Sequence, residues 1–196
     1  MQSKRIKGFL AISGPTGSGK NVVIPELLEK FPVLKEVTTM TTRPRRLGER
    51  TGREYHFVSK EEFRRHIRHG YFLEWAIVHE NYYGTPRRQI EAMQRKGRIP
   101  VLDIDVQGGI AVKKIYPDAL LVFIHPTPWK KYVARLQHDR GHELNFRARI
   151  KSIAFELRMA SRYDCIVKNR EGALPKTIAH IKQRIARYVR RIRLSS

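Results

Sequence analysis

The stretch Gly14-Pro15-Thr16-Gly17-Ser18-Gly19-Lys20 follows the apolar run Phe9-Leu10-Ala11-Ile12 and precedes a segment that reads as helix to about Lys30. Buried strand, glycine-rich turn, lysine and helix, in that order, make a phosphate cradle with the spacing G-x-x-x-x-G-K. The glycines let the backbone curl through positive φ, so successive N–H groups converge on an anion. The helix beyond adds unpaired N–H donors and the positive end of its dipole. Lys20 places a mobile ammonium beside the outer phosphates. Two residues depart from the pattern. The position after Lys20 is normally Ser or Thr, whose hydroxyl ligates Mg²⁺; here it is Asn21, whose amide oxygen can also ligate a hard cation. Pro25 lies past the first helical turn and removes a backbone donor, which predicts a kinked or shortened helix.

The chain has 196 residues, 41% of them hydrophobic, which suits one domain with a single sizeable core. No apolar run approaches the ~20 residues that span a bilayer. The basic start, Met1-Gln2-Ser3-Lys4-Arg5-Ile6-Lys7, leads into too short an apolar run for a secretory signal. The single cysteine, Cys165, excludes an internal disulfide and fits a reducing, cytoplasmic setting; within Cys165-Ile166-Val167 it reads as a buried strand residue. Forty Lys and Arg against eighteen Asp and Glu give a net charge of +22. Such a balance favours polyanions, and a nucleotide site would use only part of it.

Outward from the cradle, residues 33–39 read as a strand and the Arg-, Gly- and Pro-rich residues 41–52 as a loop. A short strand covers 55–58. Ser59 with Glu62 forms a capping box that opens a helix closed by Gly70. Strands at 72–78 and 81–85 precede a helix over 86–96. Buried strands are predicted at 99–105, with acids at its exit, and at 119–124, with a helix over 109–116 between them. A charged helical region spans 128–162, the last strand 165–167 and the final helix 174–194. Strands alternating with helices predict an α/β fold with a mainly parallel sheet.

In order, the cradle, Thr41-Thr42-Arg43-Pro44, Tyr55-His56-Phe57, Phe72-Leu73-Glu74-Trp75-Ala76, Asn81-Tyr82-Tyr83-Gly84-Thr85 and Leu102-Asp103-Ile104-Asp105-Val106-Gln107-Gly108 resemble guanylate kinase, the P-loop enzyme that moves a phosphoryl group from ATP to GMP. The resemblance covers nearly the whole chain, and it implies GMP, with dGMP as a further acceptor, in purine nucleotide metabolism. It implies a three-layer α/β sandwich over residues 5–194, with core segments 5–38, 98–127 and 161–194, a GMP-binding insertion at 39–88 and a helical lid at 128–160. Gly14, Pro15, Thr16, Gly17, Ser18, Gly19, Lys20 and Asn21 would hold ATP with Mg²⁺, and Asn169 would lie near its adenine. Arg43 and Arg46 offer planar forks suited to a phosphate, and with Tyr55 and Tyr83 would meet the phosphate of GMP. Glu74 would read guanine: the base presents an N1–H beside a 2-amino group, and one carboxylate accepts both, whereas adenine would leave it unpaired. Thr39 and Thr85 match small hydroxyl residues that assist it. Asp103 and Asp105 would contact the GMP side or, for Asp103, hold Mg²⁺ through water, with Asn21 as a further ligand. Arg135, Arg140 and Arg149 would close from the lid and, with Lys20 and Arg43, neutralise charge on the transferred group. After Arg140-Gly141 the chain departs from the family with His142-Glu143-Leu144-Asn145-Phe146.

The eight histidines lack metal-ligand spacing, and Trp75 and Trp129 read as core or lid packing. The final helix carries Ile178, Ile181, Ile185, Val189 and Ile192 on one stripe and seven cations with no acid elsewhere. Two other readings accompany the kinase: a related binding module that grips an acidic or phosphorylated partner, and a nucleic-acid-binding protein, with RNA or another polyanion on the basic surface.

Overall fold

The computed structural model describes residues 8–78, 80–140, 146–170 and 172–194, with side chains throughout except at residues 139 and 140. The elements are β1 (Leu10–Ser13), α1 (Lys20–Lys30), β2 (Leu34–Glu36), β3 (Met40–Thr41), β4 (His56–Phe57), α2 (Lys60–Arg68), β5 (Phe72–Val78), β6 (Asn81–Pro86) and α3 (Arg87–Arg95). They continue as β7 (Ile99–Asp103), α4 (Val106–Ile115), β8 (Leu120–Thr127), α5 (Trp129–Arg140), α6 (Phe146–Met159), a 3₁₀ turn (Ala160–Arg162), β9 (Cys165–Arg170) and α7 (Leu174–Leu194).

Five strands form a parallel sheet in the order β2-β7-β1-β8-β9, with Leu10 opposite Val101 on one side and Leu120 on the other. The two-residue period of a strand explains why the apolar runs are continuous, because alternate side chains enter different layers. Leu10, Ile12, Val122 and Ile124 pack with Val23, Ile24 and Leu27 of α1 and Ile181 and Ile185 of α7. Phe9, Ala11, Leu121 and Phe123 pack against Ile90 of α3, Val112 of α4 and Tyr163. The result is the expected three-layer α/β/α arrangement.

The insertion between β2 and α3 builds a second sheet in the order β4-β3-β6-β5, mostly antiparallel. Its core is the stacked pair Phe63 and Phe72, ring centroids 4.3 Å apart, with Met40. Ser59 caps α2 by accepting from the Glu62 N–H at 3.1 Å, as the capping box predicts. Helices α5 and α6 pack on each other through Tyr132, Leu136 and Ile153. Among the described residues no helix is long and apolar enough to cross a membrane.

Several expectations need correction. Residues 33–39 are not one strand: β2 stops at Glu36, and the chain crosses to the second sheet, where Met40 pairs with Gly84. Strand β7 ends at Asp103, not Asp105, because Asp105 caps α4, which starts at Val106 rather than 109. Strands β8 and β9 are longer than expected, since they pair as far as Thr127 with Arg170; Asn169 therefore lies inside β9 and not past it. Pro25 does not shorten α1; the helix runs unbroken to Lys30 with Pro25 exposed. Trp75 is not core packing, for it is 46% exposed on the outer side of β5. Cys165 is buried on β9, and burial pushes its thiol pKa up.

Candidate active site

The C-terminal ends of β1 and β7, the second sheet and α6 enclose a cleft of about 420 Å³. At one wall Gly14, at φ 149°, leaves β1 so tightly that a Cβ there would lie 2.5 Å from the Ile124 carbonyl. Gly19, at φ 103°, is the N-cap of α1. Only glycine takes these left-handed conformations at low cost, which is why the cradle spacing is legible in one dimension. Lys20, the first residue of α1, folds back over the loop and donates from Nζ to the Gly14 carbonyl and, at 3.4 Å, to that of Pro15.

Lys20 shares the cleft with acids. Asp103 ends β7; burial raises its pKa and Lys20 lowers it. Asp105 lines the same cleft but also caps α4, its Oδ1 accepting from the Gly108 N–H at 2.7 Å. One carboxylate therefore faces the lysine and the other caps a helix, a division of labour the sequence left open. The strand exits are tied together by Ser13, which accepts from the Tyr163 hydroxyl at 2.6 Å and donates to the Ile104 carbonyl at 2.8 Å.

Opposite, Glu74 of β5 is 9% exposed and accepts a hydrogen bond from Thr85. Burial raises its pKa to about 7, with Thr85 lowering it and Asp105 raising it. A Cβ on Gly108 would come within 2.9 Å of Glu74 Oε2, so a side chain there would have to displace the carboxylate. Gly108→Ala should push the carboxylate aside and raise the KM for a purine acceptor about tenfold while leaving the KM for the donor unchanged, a difference of about 1.4 kcal/mol. Steady-state kinetics with each substrate varied in turn checks this; equal KM values in both proteins would remove the role given to the close approach.

Between these walls lie the arginines. The Arg43 guanidinium donates to Glu49 Oε1 at 2.7 Å and to the Pro44 carbonyl at 2.8 Å, 5.4 and 5.5 Å from the Tyr55 and Phe57 ring centroids. The other Glu49 oxygen accepts from the Arg46 N–H at 2.8 Å. Thr41 orients the turn, donating to the Tyr82 carbonyl at 2.9 Å and accepting from the Arg43 N–H at 3.1 Å. A guanidinium has five N–H donors, so these bonds hold Arg43 in place and leave donors for an anion. Thr39, Arg46, Tyr55 and Tyr83 line the same cleft, and burial pushes the Tyr55 hydroxyl up to about 12.

From α5 and α6, Arg149 enters this cleft, whereas Arg135 donates to the Gly17 carbonyl at 2.8 Å and lines a second cavity of about 220 Å³. The Arg140 side chain and residues 141–145 lie outside the described part of the chain. Asn169 also lines the second cavity; it donates to the Ser18 carbonyl at 2.9 Å and accepts from Thr177 at 3.0 Å. Asn21 is exposed and lines neither cavity.

The sequence reading missed two residues. Glu156 of α6 lines the main cleft, its pKa raised to about 7 by burial, with Lys20 lowering it and Asp105 raising it. Its spacing from Arg149, two helical turns, was the available signal. Tyr132 donates to the Thr16 carbonyl at 2.7 Å, so α5 touches the cradle directly.

A family model described as guanylate kinase matches residues 7–188. The guanylate kinase of Polaromonas sp. is 37% identical over 181 residues, 89% of this chain and 87% of the relative. That of Thermotoga maritima is 34% identical over 94% of this chain and 91% of the relative. The crystal structure of guanylate kinase from Anaplasma phagocytophilum matches with a TM-score of 0.73 at 30% identity, covering 97% of this chain and 88% of that one.

Proposed function

We propose, from the premise that this chain belongs to the guanylate kinase family, a specific division of labour for its ATP-dependent phosphorylation of GMP to GDP. The observation that carries it is Glu74, a buried carboxylate steadied by Thr85 across the cleft from Lys20 and the Arg43–Arg46 turn. That pairing fits guanosine monophosphate: phosphate at the arginines, base at the acid. The larger cavity, lined by Thr39, Arg46, Tyr55, Tyr83, Asp103 and Asp105, takes GMP, with Thr85 buried behind Glu74. The smaller one, beside Gly17, Gly19, Arg135 and Asn169, takes the adenosine of ATP, whose phosphates cross the cradle formed by Gly14 to Lys20.

In the reaction an oxygen of the GMP phosphate bonds to the γ-phosphorus of ATP while the bond to the β–γ bridging oxygen breaks, releasing ADP. The protein does little covalent chemistry. It aligns the groups and screens charge, with Lys20, Arg43, Arg135, Arg140 and Arg149 as the cations. Burial raises the pKa values of Glu156 and Asp103, and the Lys20 ammonium draws both down. Asp103, which lines the cleft, would hold Mg²⁺ arriving with ATP through water, and the ion would supply positive charge to the phosphates. Asn21 would have to turn inward to join it. Residues 39–88 act as the GMP side and 128–160 as the lid, in a cytoplasmic setting that the lone unpaired cysteine suits.

A coupled assay of ADP release with GMP, AMP, CMP or UMP as acceptor tests the assignment. Turnover is expected with GMP only, and Asn21→Ser should turn over equally fast or faster. Selectivity for another acceptor would remove the role given to Glu74, and a slower Asn21→Ser would show that the amide serves better than a hydroxyl.

A further inference from the structure

We infer that the outward side of α7 docks a nucleic-acid strand through its phosphodiester backbone, an activity separate from phosphoryl transfer. The helix is 21 residues long and contains no Asp or Glu. Lys176, Arg184, Arg187 and Arg190 are all exposed. At 3.6 residues per turn they fall within about a third of the helix circumference, and they extend along about 21 Å of its axis. The opposite side is consumed by the fold, since Ile181, Ile185, Val189 and Ile192 are buried in the core.

Like charges three and four residues apart repel each other on a helix. The fold makes internal use of some neighbours. Lys182, turned toward α1, pairs with Glu26 at 2.8 Å, and Arg191 donates to the Asp118 carbonyl at 3.5 Å over the Tyr188 ring. The nearby Asp164 carboxylate is already bound by Lys113 at 2.9 Å and by the Leu121 N–H. The stripe is dominated by guanidinium forks, which match phosphate geometry better than an ammonium does. A linear array of them complements a linear array of phosphates. A bilayer suits it less, because an interfacial helix needs an apolar side to immerse, and here that side is in the core. The docking surface also accounts for part of the +22 charge that a nucleotide site leaves unexplained.

The test is fluorescence anisotropy of a labelled single-stranded RNA of about 20 nucleotides, titrated with the full chain across a salt series. Four phosphate contacts predict that affinity falls about fiftyfold between about 50 and about 200 mM salt. The triple variant Arg184→Gln, Arg187→Gln, Arg190→Gln should bind more weakly at low salt and lose only about tenfold or less over the same range. Its kinase activity should be unchanged, which also shows that it folds. The control Arg64→Gln, Arg65→Gln, Arg68→Gln on α2 removes the same charge and should bind RNA as the parent does. An equal loss in both triple variants, or no saturable binding at low salt, would overturn the proposal. So would binding to phosphatidylserine vesicles or polyglutamate as tight as to RNA.

Discussion

Lys20→Met is expected to lower kcat at saturating ATP and GMP by about three orders of magnitude, the loss that follows removal of a preorganised charge from a closed phosphoryl-transfer site. Methionine keeps most of the stem and is a good helix former, so α1 and the core beneath it should stand. The ammonium has no substitute at this position, because the other cations reach the cleft from the second sheet and from α6. Its removal also leaves Asp103 and Glu156 without the charge that lowers their pKa values. The carboxylates would then hold protons more tightly and repel the phosphates when ionised. The coupled assay at saturating substrates, with thermal melting as a control for folding, decides the matter. A loss of less than tenfold with an unchanged melting temperature would show that the cradle backbone and arginines suffice.

Glu74→Gln carries the second large effect. Guanine presents two donors side by side, and the amide offers one acceptor and one donor where the carboxylate offers two acceptors. One guanine N–H would face an N–H, and kcat/KM for GMP should fall about two to three orders of magnitude, with KM for ATP unchanged. The same substitution should alter the pH profile. In the free protein Glu74 titrates near 7 because it is buried, so the acceptor form is lost as pH falls from 8 to 6. The parent's kcat/KM for GMP should drop over that interval beyond the change that titration of the GMP phosphate itself imposes, and the variant should show only the latter. Stability runs the other way. A carboxyl whose folded pKa is raised favours the folded state when protonated, and that contribution is lost as pH rises from about 4.5 to about 7. Glu74→Gln should therefore melt higher than the parent at pH 8 and close to it at pH 4. Parallel pH profiles for the two proteins would exclude Glu74 as the base-reading group.

How much of this was legible depended on how local each feature is. The cradle was readable because a turn through left-handed glycines is written in seven consecutive residues, and its geometry follows from sterics alone. The apolar strands were readable because β1 and β8 are covered on both sides. Where the reading failed, a distant pairing had overridden a local pattern. Residues 33–39 have the look of one strand, yet Met40 is claimed by Gly84 in the other sheet. Asn169 follows an apolar run that ends at Val167, but pairing with β8 carries the strand through it. Trp75 looks like core by composition, and is left outside because the alternation of β5 turns Glu74 inward instead.

The amino-acid sequence by itself determined the phosphate cradle and the arginine turn, each written as a spacing within one segment, and the layer architecture, written in the alternation of apolar strands with helices. Only the tertiary structure decided what those groups meet: Asp105 turned into a helix cap, Asp103 set beside Lys20, Gly108 holding room for Glu74, and Glu156 brought into the cleft from α6. Those relations join residues tens of positions apart, and their energies arise from burial and neighbouring charge, which exist only once the chain has closed around them.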